Sequence, residues 1–94
     1  MIVIKRNGSN QGFDSTKIKD SINNTANNNN TPLQQREANF IVNVIISRIF
    51  NHYSGEIKSS EVREIIIEEL KRGGFTDLAV AYESGSILPK KLGL

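Results

Sequence analysis

The chain opens with two short runs of strand-forming residues on either side of a turn signal. Residues 2–6, Ile-Val-Ile-Lys-Arg, are rich in β-branched side chains and predict a strand. Asn7-Gly8 follows and favours a type I′ turn, in which both central residues adopt positive φ. A return strand is expected over residues 9–13. Two strands this short need an apolar surface, so the pattern predicts a hairpin packed on helices.

A helix is predicted directly after the hairpin. Asp14 is the expected N-cap, because its carboxylate can accept the unpaired amides of the first turn. Ile18, Ile22 and Ala26 recur every four residues and give the helix one narrow apolar stripe. Asparagine fills six of the eight positions 23–30. Because Asn is a poor residue for a helix interior, this tract predicts a fraying end and a connecting loop.

The second helix has a full set of start signals. Thr31 is the expected N-cap, Pro32 stands at the first helical position, and Gln34 completes a capping box. We expect this helix to run to about His52 and to be the most buried one, because apolar residues recur along it at helical spacing. Those residues are Phe40, Ile41, Val44, Ile45 and Ile49, with Val42, Ile46 and Phe50 widening the face.

A third helix is predicted after a break at residues 53–55. Ser59 or Ser60 is its expected N-cap, and Glu61 lies in the first turn, where a carboxylate complements the helix dipole. A Gly-Gly pair at positions 73 and 74 ends the helix through the left-handed conformation. Its buried stripe is expected to contain Val62, Ile65, Ile66 and Leu70, with Glu64, Glu68 and Lys71 facing water.

A short fourth helix completes the predicted domain. Thr76 is its expected N-cap, and the periodic pattern stops at Gly85. Its apolar positions are Leu78, Ala79, Ala81 and Tyr82. Residues 1–86 are therefore predicted as one domain and residues 87–94 as a tail or truncated linker. The fold class is α+β, with a small N-terminal β-hairpin or sheet as a cap over a four-helix bundle.

Composition favours a binding protein over an enzyme. The 94 residues contain no cysteine and one histidine, His52, which excludes a disulfide scaffold, thiolate metal sites and a multi-histidine metal centre. The chain contains no phosphate-binding Gly-x-x-x-x-Gly-Lys loop, dinucleotide fingerprint or zinc-protease motif. No apolar run approaches the roughly 20 residues that span a bilayer, and the N-terminus lacks the pattern of a signal peptide. We therefore expect a cytoplasmic location and no membrane partner.

The charge pattern identifies one candidate anion site. The net charge is only +2, which makes nucleic acid the less favoured partner. Lys5, Arg6 and Lys17 nevertheless lie close to the predicted hairpin and first helix. Lys17 follows the cap at Asp14 by three residues, where a cation opposes the helix dipole unless it shares an anion. Together these side chains can bind phosphates, although three exposed basic residues beside a hairpin would give the same pattern.

Three motifs in series resemble the ATP-cone domain. Residues 3–8, Val-Ile-Lys-Arg-Asn-Gly, followed by Phe13-Asp14 and Lys17-Ile18, are similar to the opening of that family. Ile-Lys-Ser-Ser-Glu-Val at 57–62 resembles the entry to its third helix, and Ala-Val-Ala-Tyr at 79–82 resembles its last helix. The resemblance covers about residues 1–84. This family is the nucleotide-binding regulatory module of many ribonucleotide reductases and of a repressor of reductase genes.

The resemblance implies a ligand, a location for it and a set of partners. It implies that ATP or dATP binds beneath the β cap as an allosteric effector, with Mg²⁺ accompanying the triphosphate. The implied partner is a reductase catalytic domain or a second copy of the chain. Carried over residue by residue, the implied phosphate contacts are Lys5, Arg6, Lys17, Ser59 and Arg63. The implied base and sugar contacts are Val3, Phe13 and Ile18, with Asp14 accepting from the adenine amino group.

The chain departs from the family pattern at three places. Asn7 replaces the usual Asp, and Gln11 stands where some members carry an acid that contacts the base. After Tyr82 the chain continues with Glu-Ser-Gly-Ser in place of an aromatic-Arg pair, which predicts a short last helix and one phosphate ligand fewer. Two alternatives stay open. One is a degenerate cone that acts as a protein–protein adaptor without nucleotide, and the other, from the pI of about 9.1, is a weak nucleic-acid binder.

Overall fold

Three short strands and four helices make up the structure, a computed structural model that describes residues 1–85. The strands are β1 (Ile2–Ile4), β2 (Asn10–Gly12) and β3 (Glu56–Lys58). The helices are α1 (Ser15–Asn28), α2 (Gln35–His52), α3 (Ser59–Arg72) and α4 (Thr76–Gly85). The predicted α+β class and the four helices are confirmed, whereas the predicted boundary at 86 and the tail at 87–94 lie outside the described residues.

The predicted hairpin forms, but its turn is of a different type. The Lys5 carbonyl accepts from the Gly8 N–H at 2.9 Å, and the Lys5 N–H donates to the Ser9 carbonyl at 2.8 Å. Gly8 has a φ of 87°, whereas the φ of Asn7 is negative. The predicted type I′ turn is therefore wrong, and the loop follows the three-residue pattern in which a type I turn precedes a left-handed glycine. The Asn7 side chain stabilises it, because Oδ1 accepts from both the N–H and the hydroxyl of Ser9.

The sheet contains a third strand that the sequence pattern does not predict. The strand order is β2-β1-β3, with β1 antiparallel to β2 and parallel to β3. Val3 pairs with Gln11 on one side and with Ile57 on the other. Paired residues of neighbouring strands place their side chains on the same face of the sheet. Ile57 is fully buried on that face, so it joins the sheet to the helical core.

Isoleucine side chains from α1, α2 and α3 dominate the core. The predicted α1 stripe of Ile18, Ile22 and Ala26 is buried throughout. The largest fully buried side chains are Ile22, Ile41, Ile45, Ile49, Ile57 and Leu70. Along α2 the prediction fails at Phe40 and Phe50, which are 64% and 52% exposed. The buried stripe of this helix is formed by Ala38, Ile41, Val42, Ile45 and Ile49, and Phe40 and Phe50 lie on either side of it.

The start of α2 lies later than predicted, because Thr31 belongs to the end of α1. Its N–H donates to the Ala26 carbonyl at 2.9 Å, and the N–H of Asn30 donates to the Asn27 carbonyl at 3.2 Å. With Asn30 at a φ of 57°, these bonds form a Schellman motif that ends α1. The predicted cap at Thr31 is therefore wrong. Gln34 is the N-cap of α2.

Helices α3 and α4 each begin one residue earlier than caps at Ser59 and Thr76 predict. Lys58, the last residue of β3, is the N-cap of α3, because the strand runs straight into the helix. Glu61 is in the first turn as predicted, and its Oε1 accepts from the Lys58 N–H at 3.0 Å. Gly74 has a φ of 91° and ends α3 in the predicted left-handed manner. Thr76 is the first residue of α4 and not its cap.

Candidate functional site

A pocket of about 180 Å³ lies between the sheet and the first turns of α1 and α3. Three separate parts of the chain form it: the hairpin, the start of α1 and the start of α3. The lining residues are Val3, Lys5, Gln11, Gly12, Phe13, Asp14, Lys17, Ile18, Ser59 and Val62. The pocket therefore combines apolar side chains with two lysines and one carboxylate.

The strands place alternate side chains in the pocket. Val3 and Gln11 are paired across β1 and β2 and share a face of the sheet, and Lys5 follows Val3 by two residues on the same face. All three line the pocket. Arg6 is one residue further along, in the hairpin turn, and its side chain is exposed and outside the lining. Lys5 thus continues the pocket-facing side of β1, whereas Arg6 belongs to the turn.

Asp14 fixes the first turn of α1 beside the pocket. Its Oδ1 accepts from the Thr16 N–H at 3.0 Å and from the Thr16 hydroxyl at 2.6 Å, which confirms the predicted N-cap. The hydroxyl bond, followed by the N–H bond and the nearby Lys17 ammonium, lowers the pKa of the Asp14 carboxyl. Asp14 is therefore a carboxylate at neutral pH, and it lies close to the Lys17 charge.

The first turn of α3 closes the other side of the pocket. Ser59 and Val62 line it, and they share a face of the helix because they are three residues apart. The first turns of α1 and α3 therefore both border the pocket. A helix N-terminus carries unpaired N–H groups and a partial positive charge, so both helices favour an anion at this place.

Seven of the nine predicted site residues meet in this single pocket. They are Val3, Lys5, Phe13, Asp14, Lys17, Ile18 and Ser59. The other two, Arg6 and Arg63, are not part of the lining. Arg63 lies one turn beyond Ser59, and its Nη2 donates to the backbone carbonyl of Glu83 at 3.1 Å. The structure therefore gives Arg63 a partner on α4.

The site prediction omits Gly12 and Val62, and it treats Gln11 only as a departure from the family pattern. Val62 is expected from the sequence to be a core residue, and it is half-buried with one side toward the pocket. Its position three residues after Ser59 is the signal that could have placed it in the site. Gln11 is half-buried opposite Val3, a pairing that only the hairpin register reveals.

One aromatic contact connects the pocket wall with α2. The rings of Phe13 and Phe50 meet edge to face, with their centroids 5.2 Å apart and their planes at 81°.

His52, at the end of the same helix, is exposed, and its Nδ1 lies 3.0 Å from the Arg48 carbonyl. Within residues 1–85 no three potential metal-ligating side chains form a cluster. No helix in that part of the chain is long and apolar enough to cross a membrane.

The fold is a small α+β domain with an apolar pocket that two lysines and two helix N-termini border. The sequence matches the ATP cone domain over residues 1–84, and the chain belongs to the ATP cone family. This confirms the resemblance seen in the sequence motifs. ATP cones are regulatory, non-catalytic modules that bind ATP or dATP as effectors. No curated protein is similar enough in sequence to add to this assignment.

Proposed function

We propose that this chain binds ATP or dATP in the pocket and acts as an allosteric regulatory domain without catalysis of its own. The observation that carries the proposal is the convergence of seven predicted nucleotide contacts from three parts of the chain on one pocket. Chance exposure of scattered basic residues would not place Lys5 and Lys17 on the rim of the same apolar pocket.

The adenine base and the sugar occupy the apolar part of the pocket in this proposal. Val3, Phe13, Ile18 and Val62 provide its walls. A volume of about 180 Å³ is smaller than the roughly 300–1,000 Å³ of most small-molecule sites, so only part of a nucleotide fits inside. The sheet then acts as the cap, and the phosphates lie at the rim. In this proposal Asp14 Oδ2, which its capping bonds do not use, accepts from the adenine amino group.

The phosphates are held by charge at the open side of the pocket. Lys5 and Lys17 supply point charges, and Arg6 supplies a planar fork from the neighbouring turn. Ser59 adds a hydroxyl next to the N-terminus of α3. Mg²⁺ would bind through the triphosphate oxygens and water, the usual arrangement for this ion at nucleotide sites.

Isothermal titration calorimetry with ATP, dATP, adenosine and GTP tests the proposal. We expect saturable binding of ATP and dATP, and weaker binding of adenosine because it lacks the phosphates. GTP serves as the control for recognition of the base. Absence of ATP and dATP binding at millimolar concentration would overturn the proposal.

The regulatory partner proposed for this domain is a ribonucleotide reductase catalytic domain or a second copy of the chain. A nucleotide shifts such an equilibrium only if it binds one state more tightly than the other. We propose that ATP and dATP favour different assemblies. Sedimentation velocity of the protein with each nucleotide, alone and with a reductase, measures that difference, and identical profiles for both would contradict it.

A second candidate is a protein–protein adaptor that has lost the nucleotide. The observation that favours it is the exposure of Phe40 and Phe50 on α2, because a partner that covered these two large apolar side chains would remove them from water. An adaptor would bind its partner equally well with and without ATP. Calorimetry with ATP distinguishes the two functions directly.

A further inference from the structure

One face of α2 points away from its buried stripe and is here called the outward face. It contains Phe40, Asn43, Ser47 and Phe50, which follow one another at spacings of three, four and three residues and so form one continuous row on the helix. All four residues are exposed, Phe40 to 64% and Phe50 to 52%. The outward face therefore holds two large apolar side chains in water, with two short polar ones between them.

The outward face has nearly the same pattern in both directions from the middle of the helix. Ile45, which is fully buried on the opposite side of α2, marks that middle. A phenylalanine lies five residues from it on each side, a short polar residue lies two residues away, and an exposed asparagine lies six residues away. In a two-fold symmetric interface the same patch of both subunits meets, with each residue against its counterpart. The pattern of the outward face meets this requirement for two helices that run in opposite directions.

The charges on α2 also favour a second copy as the occupant of this face. Residues 39–51 contain one charged side chain, Arg48. It lies on the flank of the helix, where it is bound to Glu68 and Glu69, and not on the outward face. Like charges that meet in an interface are unfavourable, and two outward faces bring none together. The same lack of charge gives a strongly charged partner nothing to bind.

We propose that the outward face of α2 pairs with the same face of a second copy in an antiparallel, two-fold symmetric dimer. Residues whose numbers add up to 90 then lie at the same level, so each Phe40 meets Phe50 of the second copy. Asn43 and Ser47 meet at the centre, where their short side chains let the two helix axes approach to about 8–10 Å. The pairing needs no ligand, so it is independent of the proposed nucleotide function.

The size of the face predicts a weak and reversible dimer. A phenylalanine has about 200 Å² of surface, so the exposed parts of the two rings give about 230 Å² in each copy. Even with the polar residues between the rings, the pair lies at or below the low end of the roughly 1,200–2,000 Å² that stable interfaces bury. We therefore expect a dissociation constant of about 0.05–1 mM.

Sedimentation equilibrium of the protein without nucleotide, at about 0.02–2 mM, tests the dimer across the expected range of dissociation constants. The average mass should rise from the monomer value of 10.5 kDa toward twice that value. Phe40→Lys should weaken association at least about tenfold, because it removes a ring from each aromatic pair and places a charge in the interface. Val80→Lys is the matched control, since it adds the same charge at an apolar side chain that is 54% exposed on α4. Its association should equal that of the wild type.

Disulfide crosslinking tests the direction of the pairing, and the chain has no cysteine of its own to interfere. In the antiparallel dimer the cysteine of Asn43→Cys lies level with that of Ser47→Cys in the other copy. Two copies of either variant alone place their cysteines four residues apart, about 6 Å along the helix. Because the Cβ atoms of a disulfide lie about 3.5–4.5 Å apart, an equimolar mixture should form the mixed disulfide faster than either variant crosslinks alone. Mass spectrometry identifies the mixed product.

Three results would overturn the proposed dimer. The first is a wild-type mass that stays at the monomer value up to the highest concentration, which would leave the outward face to a different protein. The second is equal weakening by Phe40→Lys and Val80→Lys, and the third is crosslinking without preference for the mixture. Circular dichroism checks that the variants fold. Should Phe40→Lys not fold, Ser47→Arg replaces it, because a long charged side chain at the exposed centre of the face should prevent the approach of the helices.

Discussion

The ring of Phe50 on α2 stands edge-on against the ring of Phe13 in the pocket wall, with 5.2 Å between the centroids. Phe13 packs against the core, whereas Phe50 is largely exposed. The contact therefore joins the pocket wall to the solvent-facing side of α2. Edge-to-face pairs of this kind contribute about 0.5–1.5 kcal/mol beyond the area they bury.

A double-mutant cycle measures this contact. We expect Phe13→Leu and Phe50→Leu to show a coupling free energy of about 0.5–1.5 kcal/mol in urea unfolding. Phe40→Leu is the matched control, since Phe40 is exposed on the same helix and should be additive with Phe13→Leu. A coupling with Phe40 as large as that with Phe50 would show that the effect is not the ring contact.

The buried carboxylate of Glu69 depends on Arg48. Glu69 is 2% exposed and accepts from Arg48 Nη1 at 2.8 Å, while Nη2 donates to Glu68 at 2.6 Å. The bonds to Glu68 and then to Glu69 raise the pKa of the Arg48 guanidinium. Arg72, at 3.5 Å from Glu69, is 73% exposed and can compensate only in part. The pair of bonds from Arg48 thus ties α2 to α3.

Removing Arg48 should leave the buried Glu69 carboxylate with only the exposed Arg72 as an ionic partner. We expect Arg48→Met to lower the free energy of unfolding by about 3 kcal/mol, whereas Arg72→Ala should change it by less than about 1 kcal/mol. The double variant Arg48→Met with Glu69→Leu should regain much of the lost stability, because it also removes the buried carboxylate that Arg48 binds. Urea unfolding at neutral pH measures all three. Equal effects of Arg48→Met and Arg72→Ala would contradict the expectation.

Sequence reasoning succeeds where the signal is local. The cap at Asp14, the apolar stripe of α1 and the left-handed end of α3 at Gly74 each depend on residues within a few positions of one another. Strand β3 is missed because its partner β1 is distant in the sequence and only the folded sheet brings the two strands together. The exposure of Phe40 is missed for a similar reason, because it depends on which face of α2 packs against the other helices.

In the candidate site, too, residues set by local signals are predicted, and contacts between distant segments are missed. Motif spacing finds Lys5, Phe13 and Lys17, because each is fixed by the hairpin and the first turn of one helix. Arg63 has the expected position on α3, but the sequence does not reveal that the end of α4 returns to meet it. Contacts between distant segments are therefore where prediction from the sequence stops.

Two substitutions test where α1 ends and where α2 begins. Thr31 Oγ1 lies 3.4 Å from the Ala26 carbonyl, a long contact, whereas Glu37 Oε1 accepts from the Gln34 N–H at 3.0 Å. We therefore expect Thr31→Ala to change stability by less than about 0.5 kcal/mol and Glu37→Ala to cost about 1 kcal/mol. Thermal or urea unfolding measures both. A larger loss for Thr31→Ala would restore Thr31 as the cap of α2.

The lowered pKa of the Asp14 carboxyl predicts that the domain loses part of its folding stability in acid. The Thr16 bonds lower its pKa in the folded state below the unfolded value of about 3.9. Its stabilisation is therefore complete above that value and is lost as the pH falls through the folded pKa. Asp14→Asn keeps a capping oxygen but does not titrate. The stability advantage of the wild type over Asp14→Asn should be constant from pH 7 to about 5 and shrink below about pH 4.

Urea unfolding of both proteins across that pH range supplies the comparison. Thr16→Val is a second test, because it removes the hydroxyl hydrogen bond that lowers the pKa of Asp14 most. In Thr16→Val the loss of stability with falling pH should be smaller than in the wild type and should end at a higher pH, because the folded pKa of Asp14 is closer to the unfolded value. An advantage of the wild type over Asp14→Asn that is equal at pH 3 and pH 6 would show that the cap is not coupled to protonation.

Lys17 gives the most direct test of the phosphate site. It lines the pocket in the first turn of α1, and a charge-assisted contact from it is worth roughly 1.5–3 kcal/mol. Lys17→Ala should therefore weaken ATP binding about tenfold to hundredfold, with a smaller effect on adenosine, which lacks the phosphates. Stability should change little, because the attraction of Lys17 to Asp14 offsets its unfavourable place near the positive end of the helix.

Lys19→Ala separates a specific contact from a general loss of charge. Lys19 is on the same helix and its removal changes the net charge equally, but it does not line the pocket. Calorimetry should give a loss of ATP affinity for Lys19→Ala of no more than about threefold, because this lysine does not line the pocket and salt screens its charge. Equal losses for the two variants would mean that ATP responds to the overall field of the N-terminal region. A loss confined to Lys17→Ala places the phosphates at the pocket rim, because only that lysine borders it.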